Sequence, residues 1–288
     1  RLEPMCVVRC RFSLLAPLAL LGSLALGADP TCRAEQGCAM AALEDGQRVA
    51  FVAGATGATG RALVSALLAD ARYGRVVAAA RSSAVTAASF PGLPEDADRS
   101  RLQVLAGVDD LQALDASSLG GAQVVLTAMG TSRANAEVAA DRESMGADEG
   151  FAKWLAKVDV GFNVRLAELA LSSGALVFGR VSARGADSSK QGEGFNLYWK
   201  HQGLADDAVS ALPFPKGVVV LRPGRLERGE ELRARRPWEV EAHAQQGPGM
   251  DVRVVALRML AEVDGALASA APAVKILEHE DIASGAGA

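Results

Sequence analysis

The segment Gly54-Ala-Thr-Gly-Ala-Thr-Gly60 decides which fold this sequence predicts. A short apolar run, Arg48–Ala53, comes directly before it and suits a buried parallel strand. Residues 59–71 follow with apolar side chains at helical spacing, which is typical of an amphipathic helix. A strand, a glycine-rich turn and a helix in this order predict a phosphate-binding turn of the Rossmann type.

Each glycine of the turn has a physical task in such a motif. Gly54 permits the tight turn, Gly57 lets the backbone approach a pyrophosphate, and Gly60 lets the helix pack closely on the strand. The first turn of the helix offers free N–H groups and a partial positive charge to the phosphates. The residues predicted to bind a dinucleotide here are Gly54, Thr56, Gly57, Ala58, Thr59 and Gly60.

The remainder of the chain alternates between strand and helix patterns. Further strands are predicted at residues 75–80, 101–105, 122–128, 175–181 and 217–221. Helices are predicted at residues 59–71, 110–117 (weak), 151–172 and 197–210. This alternation predicts an α/β fold, a Rossmann-type doubly wound parallel sheet. We expect one domain over residues 46–288, with a small substrate region at about 224–288, and a separate leader over residues 1–45.

The end of the second predicted strand bears on the choice of dinucleotide. Enzymes that use NAD often place Asp or Glu there, to bind the 2′-hydroxyl of the ribose. This chain has Arg81 instead, about twenty residues after the glycines, and no carboxylate. A guanidinium can pair with a 2′-phosphate through two hydrogen bonds. The sequence therefore favours NADP(H) over NAD(H), with a solvated arginine at a strand end as the alternative.

Composition excludes some classes of function. The chain has 288 residues, a formal net charge of −4 and 50% hydrophobic residues, so we expect a large buried core and no nucleic-acid partner. Its three histidines lie far apart, and none has ligand spacing with a cysteine, so no metal site is expected. All four cysteines precede the glycine-rich turn, which excludes a catalytic thiol in the predicted domain.

The leader contains an uncharged run from Phe12 to Ala28, preceded by Arg9 and Arg11. A basic start, a short apolar stretch and a small-residue exit are typical of a signal sequence. The run is shorter than the about 20 residues that span a bilayer, although an uncleaved anchor is the one route to a membrane. Alternatively, Met40 is the true start. The first interpretation implies an organellar or secretory route, and the second a cytoplasmic protein.

Several segments together resemble a known family. Besides the glycine-rich turn, they are Met129-Gly-Thr-Ser-Arg133, Val158-Asp159 with Leu166-Ala-Glu-Leu-Ala170, Ser182-Ala-Arg-Gly-Ala-Asp187, Leu221-Arg-Pro-Gly224 and residues 274–282. In order and spacing they resemble the atypical short-chain dehydrogenases, and most closely the Tat-interacting oxidoreductase-like family. The resemblance covers about residues 48–282. It implies a single Rossmann domain that binds NADPH, and it implies no defined substrate.

The resemblance also implies a catalytic site. Reductases of this superfamily use a serine that binds the substrate oxygen, a tyrosine that carries the proton, and a lysine four residues later that lowers the pKa of the tyrosine. Ser182 and Tyr198 match the serine and the tyrosine, but Gln202 stands where the lysine is expected. Gln202 can hydrogen-bond a ribose and carries no charge. After the fourth strand, Met129, Gly130 and Arg133 are predicted to contact the cofactor.

Two functions stay open on this sequence. The first is an NADP(H)-dependent oxidoreductase that transfers hydride to or from an unknown carbonyl or alcohol. The second is a dinucleotide-binding protein with weak or no catalysis, acting as a redox sensor, an assembly factor or a complex subunit. Gln202 favours the second function, whereas Ser182 and Tyr198 favour the first. Besides the dinucleotide, the partner is an unknown small molecule or protein.

Overall fold

The computed structural model describes residues 47–131, 147–228, 240–241, 244–245 and 249–285. The strands are β1 (Arg48–Ala53), β2 (Tyr73–Ala80), β3 (Leu102–Ala106), β4 (Val124–Thr127), β5 (Val177–Val181), β6 (Gly217–Arg222), β7 (Leu226–Glu227), β8 (Met250–Asp251) and β9 (Ala273–Glu278). The α-helices are α1 (Ala58–Ala69), α2 (Ala147–Trp154), α3 (Asn163–Ser172), α4 (Phe195–Ser210), α5 (Val252–Ala268) and α6 (His279–Ser284). A π-helical segment, Leu155–Phe162, joins α2 to α3.

Seven of the strands form one sheet, in the order β3-β2-β1-β4-β5-β6-β9. Every neighbouring pair in it is parallel. The strand order reverses direction between β1 and β4, and ligands of open α/β sheets bind at the carboxyl ends of the strands at such a point. The predicted Rossmann-type doubly wound fold is confirmed. The short strands β7 and β8 pair separately.

Side chains alternate between the two faces of the sheet and so build two cores. On β1, Ala50 and Val52 pack into the core beneath α1 and α5, while Phe51 and Ala53 pack into the core beneath α3 and α4. Helices therefore cover both faces of the sheet. This explains why its central strands are continuous apolar runs rather than alternating ones.

Several observed elements differ from the sequence prediction, which had no helix at α5 and did not include the short elements β7, β8 and α6. The predicted helix at residues 151–172 contains the π-helical segment, and the weak helix at 110–117 is two short 3₁₀ turns, Leu111–Ala113 and Ala116–Leu119. Strand β9 was not predicted as a strand, because most of its side chains are exposed and it carries a lysine. This pattern is typical of an edge strand, which lacks the apolar run that identifies central strands.

Some predictions fall on residues outside the described ranges. The leader, with its cysteines and its signal-like run, lies there, and so does Arg133. Within the described part of the chain, no helix is long and apolar enough to cross a membrane.

Candidate dinucleotide site

The glycine-rich turn joins β1 to α1 in a shape that only glycine permits at two of its positions. Gly54 has a φ of +70°, and a Cβ built on it would lie 2.8 Å from the carbonyl carbon of Ala128, at the end of β4. A Cβ on Gly60 would lie 2.0 Å from the carbonyl oxygen of Gly54. The turn is thus pressed between α1 and the end of β4, where any side chain would displace backbone.

The first turn of α1 has no side-chain cap. Gly57 is the N-cap residue, no side chain accepts a hydrogen bond from the helix start, and no acidic residue lies in the first turn. The N–H groups of this turn therefore keep their hydrogen-bonding capacity. An uncapped helix start offers donors and a positive dipole end to an anion.

A cavity of about 750 Å³ opens beside this turn. It is bounded by the carboxyl ends of β1, β2 and β4, by the segment after β3 and by the π-helical segment. Its lining residues are Ala53, Gly54, Thr56, Gly57, Ala79, Arg81, Val108, Asp109, Leu111, Ala128, Met129, Gly130, Thr131, Trp154, Val158 and Phe162. The volume lies in the range of small-molecule and cofactor sites.

Most of the predicted cofactor residues meet at this cavity. Gly54, Thr56, Gly57, Arg81, Met129 and Gly130 line it. Ala58, Thr59 and Gly60 form the first turn of α1 behind the glycine turn. Arg81 is exposed at the end of β2, and no residue of the described ranges forms an ion pair with it.

The three predicted catalytic residues lie elsewhere. Ser182, Tyr198 and Gln202 are absent from the cavity wall. Tyr198 packs with Leu197 and Trp154 against the side chains of Phe151 and Leu155. Burial raises the pKa of the Tyr198 phenol, the nearby Asp159 raises it further, and Arg180 opposes the shift. Their catalytic roles stay a prediction.

Gln202 is held in a buried polar network rather than facing a ligand. Its side chain is 3% exposed. Arg180 Nη2 on β5 donates to Gln202 Oε1 at 2.6 Å, and Gln202 Nε2 donates to Asp159 Oδ1 at 2.6 Å. Arg180 is itself completely buried. The positive charge of Arg180 therefore already lies beside position 202, and a lysine at this position would place a second positive charge next to it.

Ser182 belongs to the same network through Asp206. The Ser182 hydroxyl donates to Asp206 Oδ2 at 2.9 Å, and Arg222 Nε donates to the same oxygen at 2.9 Å. Arg180 pairs with the other oxygen of Asp206. Arg222 in turn pairs with Glu278 at 3.0 Å, so the network extends to the end of β9. The Ser182 hydroxyl thus donates its hydrogen bond to the carboxylate of Asp206, which also forms ion pairs with two arginines.

Asp159 connects this network to the cavity. Its Oδ2 accepts a hydrogen bond of 2.9 Å from the backbone N–H of Thr131, which lines the cavity. Asp159 is 1% exposed, and burial raises the pKa of its carboxyl from 3.8 to about 7, although the Thr131 N–H and Arg180 act in the opposite direction. This carboxyl therefore changes protonation near neutral pH.

The side chain of Asn163 forms hydrogen bonds with the backbone of the widened π-helical turn that contains Asp159. Asn163 Nδ2 donates to the carbonyl oxygens of Val158 and Asp159, at 3.2 and 3.0 Å. Asn163 Oδ1 accepts from the Thr127 hydroxyl at 2.8 Å, which anchors the segment to the end of β4. Such π-helical turns occur frequently at functional sites.

Sequence reasoning missed the functional context of Arg180, Asp206 and Asp159. One signal was present for Arg180, since it is the single charged residue in the apolar run of β5. A buried arginine needs a carboxylate partner, and that requirement could have directed attention to the acidic residues of α4. His201, three residues after Tyr198, uses Nδ1 to contact the carbonyl oxygen of Leu197 at 2.8 Å within its own helix.

The described part of the chain contains no cluster of three His, Cys, Asp or Glu residues that could hold a metal ion.

Comparison with known proteins identifies the fold. No protein-family model matches the sequence. No curated protein matches it either. Among solved structures, a putative NAD-dependent epimerase/dehydratase from Bacillus halodurans is similar, with a TM-score of 0.52 and 19% identity over 80% of this chain and 92% of that one.

Two further solved structures show the same likeness. An oxidoreductase of the short-chain dehydrogenase/reductase family from Burkholderia thailandensis has a TM-score of 0.53 and 19% identity over 82% of this chain and 93% of that one. UDP-glucuronic acid 4-epimerase from Bacillus cereus, solved in complex with NAD, has a TM-score of 0.50 and 14% identity over 80% and 77%. At these identities the likeness shows a shared fold.

Proposed function

We propose that this protein binds NADP(H) in the cavity beside the glycine-rich turn. One observation carries the proposal: Gly57 at the uncapped start of α1, Gly54 with its positive φ, and Arg81 all line one cavity. The α1 amides would hold the pyrophosphate, and Asp109 and Leu111 would lie at the opposite end of the groove. The likeness to an epimerase solved with NAD supports a dinucleotide as the ligand.

Arg81 is the basis for the choice of NADP(H). It replaces the carboxylate that would bind an unmodified ribose, and its guanidinium is exposed at the end of β2. A 2′-phosphate would supply it with a charged partner. NAD(H) is the alternative ligand. It has no 2′-phosphate, so Arg81 would have no charged partner on that cofactor.

For the chemistry, the first candidate is an oxidoreductase of the short-chain dehydrogenase type. A bound nicotinamide supplies or takes up hydride, and Tyr198 would exchange the proton with the substrate oxygen. Because burial keeps the pKa of Tyr198 raised, its phenol stays protonated at neutral pH and can donate but not accept. A raised pKa also makes the phenol a weaker acid, which favours slow proton transfer.

The second candidate is a dinucleotide-binding protein with weak or no turnover. A specific observation favours it, because Ser182 and Gln202 are both engaged in a buried ion-pair network and neither lines the cavity. Such a protein would act as a redox sensor, an assembly factor or a complex subunit. The geometry supports dinucleotide binding better than it supports rapid turnover.

Fluorescence titration with NADPH and NADH tests the cofactor choice. We expect tighter binding of NADPH, and we expect Arg81→Ala to remove about tenfold or more of that preference, since a charge-assisted hydrogen bond is lost. Arg75→Ala is a matched control, because Arg75 lies on β2, the strand that leads to Arg81, and its side chain contacts the Gly120 carbonyl. Equal affinities for both dinucleotides in the wild type would contradict the NADP(H) assignment.

A turnover screen separates the two chemical candidates. NADPH consumption is followed with a panel of quinones, aldehydes and ketones. Binding without turnover would favour the binding protein, whereas a rate similar to that of ordinary reductases would favour the enzyme. In the second case, Tyr198→Phe should abolish the rate while NADPH affinity is kept.

A further inference from the structure

Asp159 lies between two donors, one of which belongs to the cavity wall. The Thr131 N–H donates to Oδ2 at 2.9 Å, and Gln202 Nε2 donates to Oδ1 at 2.6 Å. A carboxylate accepts both bonds with a charged oxygen, whereas a protonated carboxyl is uncharged and the oxygen that carries the hydrogen has less acceptor capacity left. Protonation therefore weakens both hydrogen bonds, and most strongly the bond to the protonated oxygen.

The Gln202 bond is the one that cannot easily give way. Arginine can only donate, so Arg180 requires the amide oxygen of Gln202 on its side and leaves the amide nitrogen for Asp159. Arg180 is held in turn by its ion pair with Asp206. Rotating the Gln202 amide would place an NH₂ group against a buried guanidinium.

The Thr131 bond is the one that can open. Thr131 is half-buried at the cavity edge, next to Gly130, which also lines the cavity. A Cβ on Gly130 would lie 3.3 Å from Asp159 Oδ1, so the backbone of residues 130–131 rests directly on this carboxyl. Loss of the bond would release the end of the segment that follows β4.

Few charged groups of the described residues act on Asp159. Arg180 faces it from β5, and Tyr198 and Asp206 face the same network from α4. On its own segment, Lys157 is exposed and contacts the rings of Trp154 and Phe162 instead. Burial outweighs the Arg180 charge and raises the pKa of the Asp159 carboxyl to about 7.

We propose that Asp159 is a positioning residue of the dinucleotide cavity: its ionised carboxylate holds the Thr131 amide in place, and its protonation releases the cavity wall and weakens dinucleotide binding. The effect on affinity rests on the proposed function, whereas the control of the Thr131 amide does not. Because the carboxyl titrates within the physiological range, binding in this cavity responds to pH through a residue that touches no ligand.

The control of the amide is tested on the full chain without any dinucleotide. The ¹H shift of the Thr131 amide is followed by NMR from pH 5 to 8.5. We expect it to titrate with a midpoint near neutrality, and to stay constant in Asp159→Asn, which cannot ionise. Glu168→Gln is the matched control, since it removes an exposed carboxylate from α3, and Thr131 should titrate as in the wild type. A Thr131 amide that does not titrate in the wild type would overturn the proposal.

The effect on affinity is measured with NADPH and NADH over the same pH range. We expect wild-type affinity to fall by at least about fivefold from pH 8 to pH 5.5. The fall should be absent in Asp159→Asn, whose affinity should match the acidic form at every pH. The 2′-phosphate of NADPH itself titrates near pH 6, so a fall that NADH also shows belongs to the protein.

Each failure has its own signature. Affinities with the same pH dependence in the wild type and in Asp159→Asn, for both dinucleotides, would overturn the proposed role of Asp159 while NADP(H) binding stands. Absence of any dinucleotide binding at every pH, with Thr131 still titrating, would overturn the proposed function and restrict Asp159 to ordering the segment after β4.

Discussion

The role that the sequence suggests for Gln202 differs from the role that the structure shows. From its place four residues after Tyr198, it is a missing lysine that leaves the tyrosine without its usual cation. In the fold, Arg180 reaches the same region from β5 and already brings a positive charge, with Gln202 bridging it to Asp159. A neutral side chain with one acceptor and one donor is what this position requires.

A positive charge at position 202 should therefore destabilise the fold rather than restore the catalytic site of the reductases. Gln202→Lys would place an ammonium beside the buried Arg180 guanidinium, and we expect a loss of roughly 1–3 kcal/mol in the free energy of unfolding. Thermal unfolding measures this loss, with Gln191→Lys as an exposed control. A stable variant with increased NADPH-dependent reduction would instead show that the lysine site of the reductases is intact here.

The raised pKa of Asp159 also predicts how stability depends on pH. In the unfolded chain the carboxyl ionises near its ordinary value of 3.8, but in the fold it stays protonated up to about pH 7. The folded state therefore binds more protons between these values, and the contribution of Asp159 to stability is largest below pH 4 and is lost as the pH rises to 7. Urea unfolding of the wild type and of Asp159→Asn over this range measures it. Identical pH dependences would contradict the assignment.

At the scale of elements, the glycine-rich turn is the part that sequence predicts best. Gly54 and Gly60 have local causes, a positive φ and a close backbone contact, which the spacing of the motif indicates. The strands β1, β2 and β4 to β6 are equally easy to predict from the sequence, because buried parallel strands appear in it as long apolar runs.

Gly60 provides a sharp test of this close packing. Gly60→Ala would place a methyl group 2.0 Å from the Gly54 carbonyl oxygen, so α1 must move away from the turn. We expect a loss of about 1–3 kcal/mol in stability, together with loss of dinucleotide binding. Gly265→Ala on α5 is the control, because its Cβ meets nothing within 4 Å. That change should stabilise the protein by up to about 1 kcal/mol, since alanine favours the helix.

Other elements depend on contacts that are distant in sequence. The π-helical segment relies on Asn163 and on Thr127 of a preceding strand, and no periodicity of residues 151–172 indicates it. Strand β9 is exposed, so it lacks the apolar signature and becomes a strand by pairing with β6. The polar network joins residues from β5, α4, β6 and β9, and a single sequence does not show which of them meet.

At the scale of the whole molecule, the sheet order brings the separate predictions together. The ends of β1, β2 and β4 lie side by side only because the order reverses between β1 and β4. Arg81, Met129 and Gly130 thereby reach one cavity with the glycine turn. The same topology places Tyr198 and Gln202 on α4, where they do not line the cavity but pack near Trp154 and Asp159 beside it. The cavity thus brings together most of the residues predicted to bind the cofactor, and the roles of all the predicted site residues stay predictions.

A crystal structure of the protein with NADPH tests dinucleotide binding most directly. We expect the pyrophosphate against the amides of the first turn of α1, and the 2′-phosphate against the guanidinium of Arg81. The adenine should lie near Asp109, and the nicotinamide towards Met129 and Gly130. NADPH bound at another place, or a cavity that stays free of it at millimolar concentration, would contradict the proposed function.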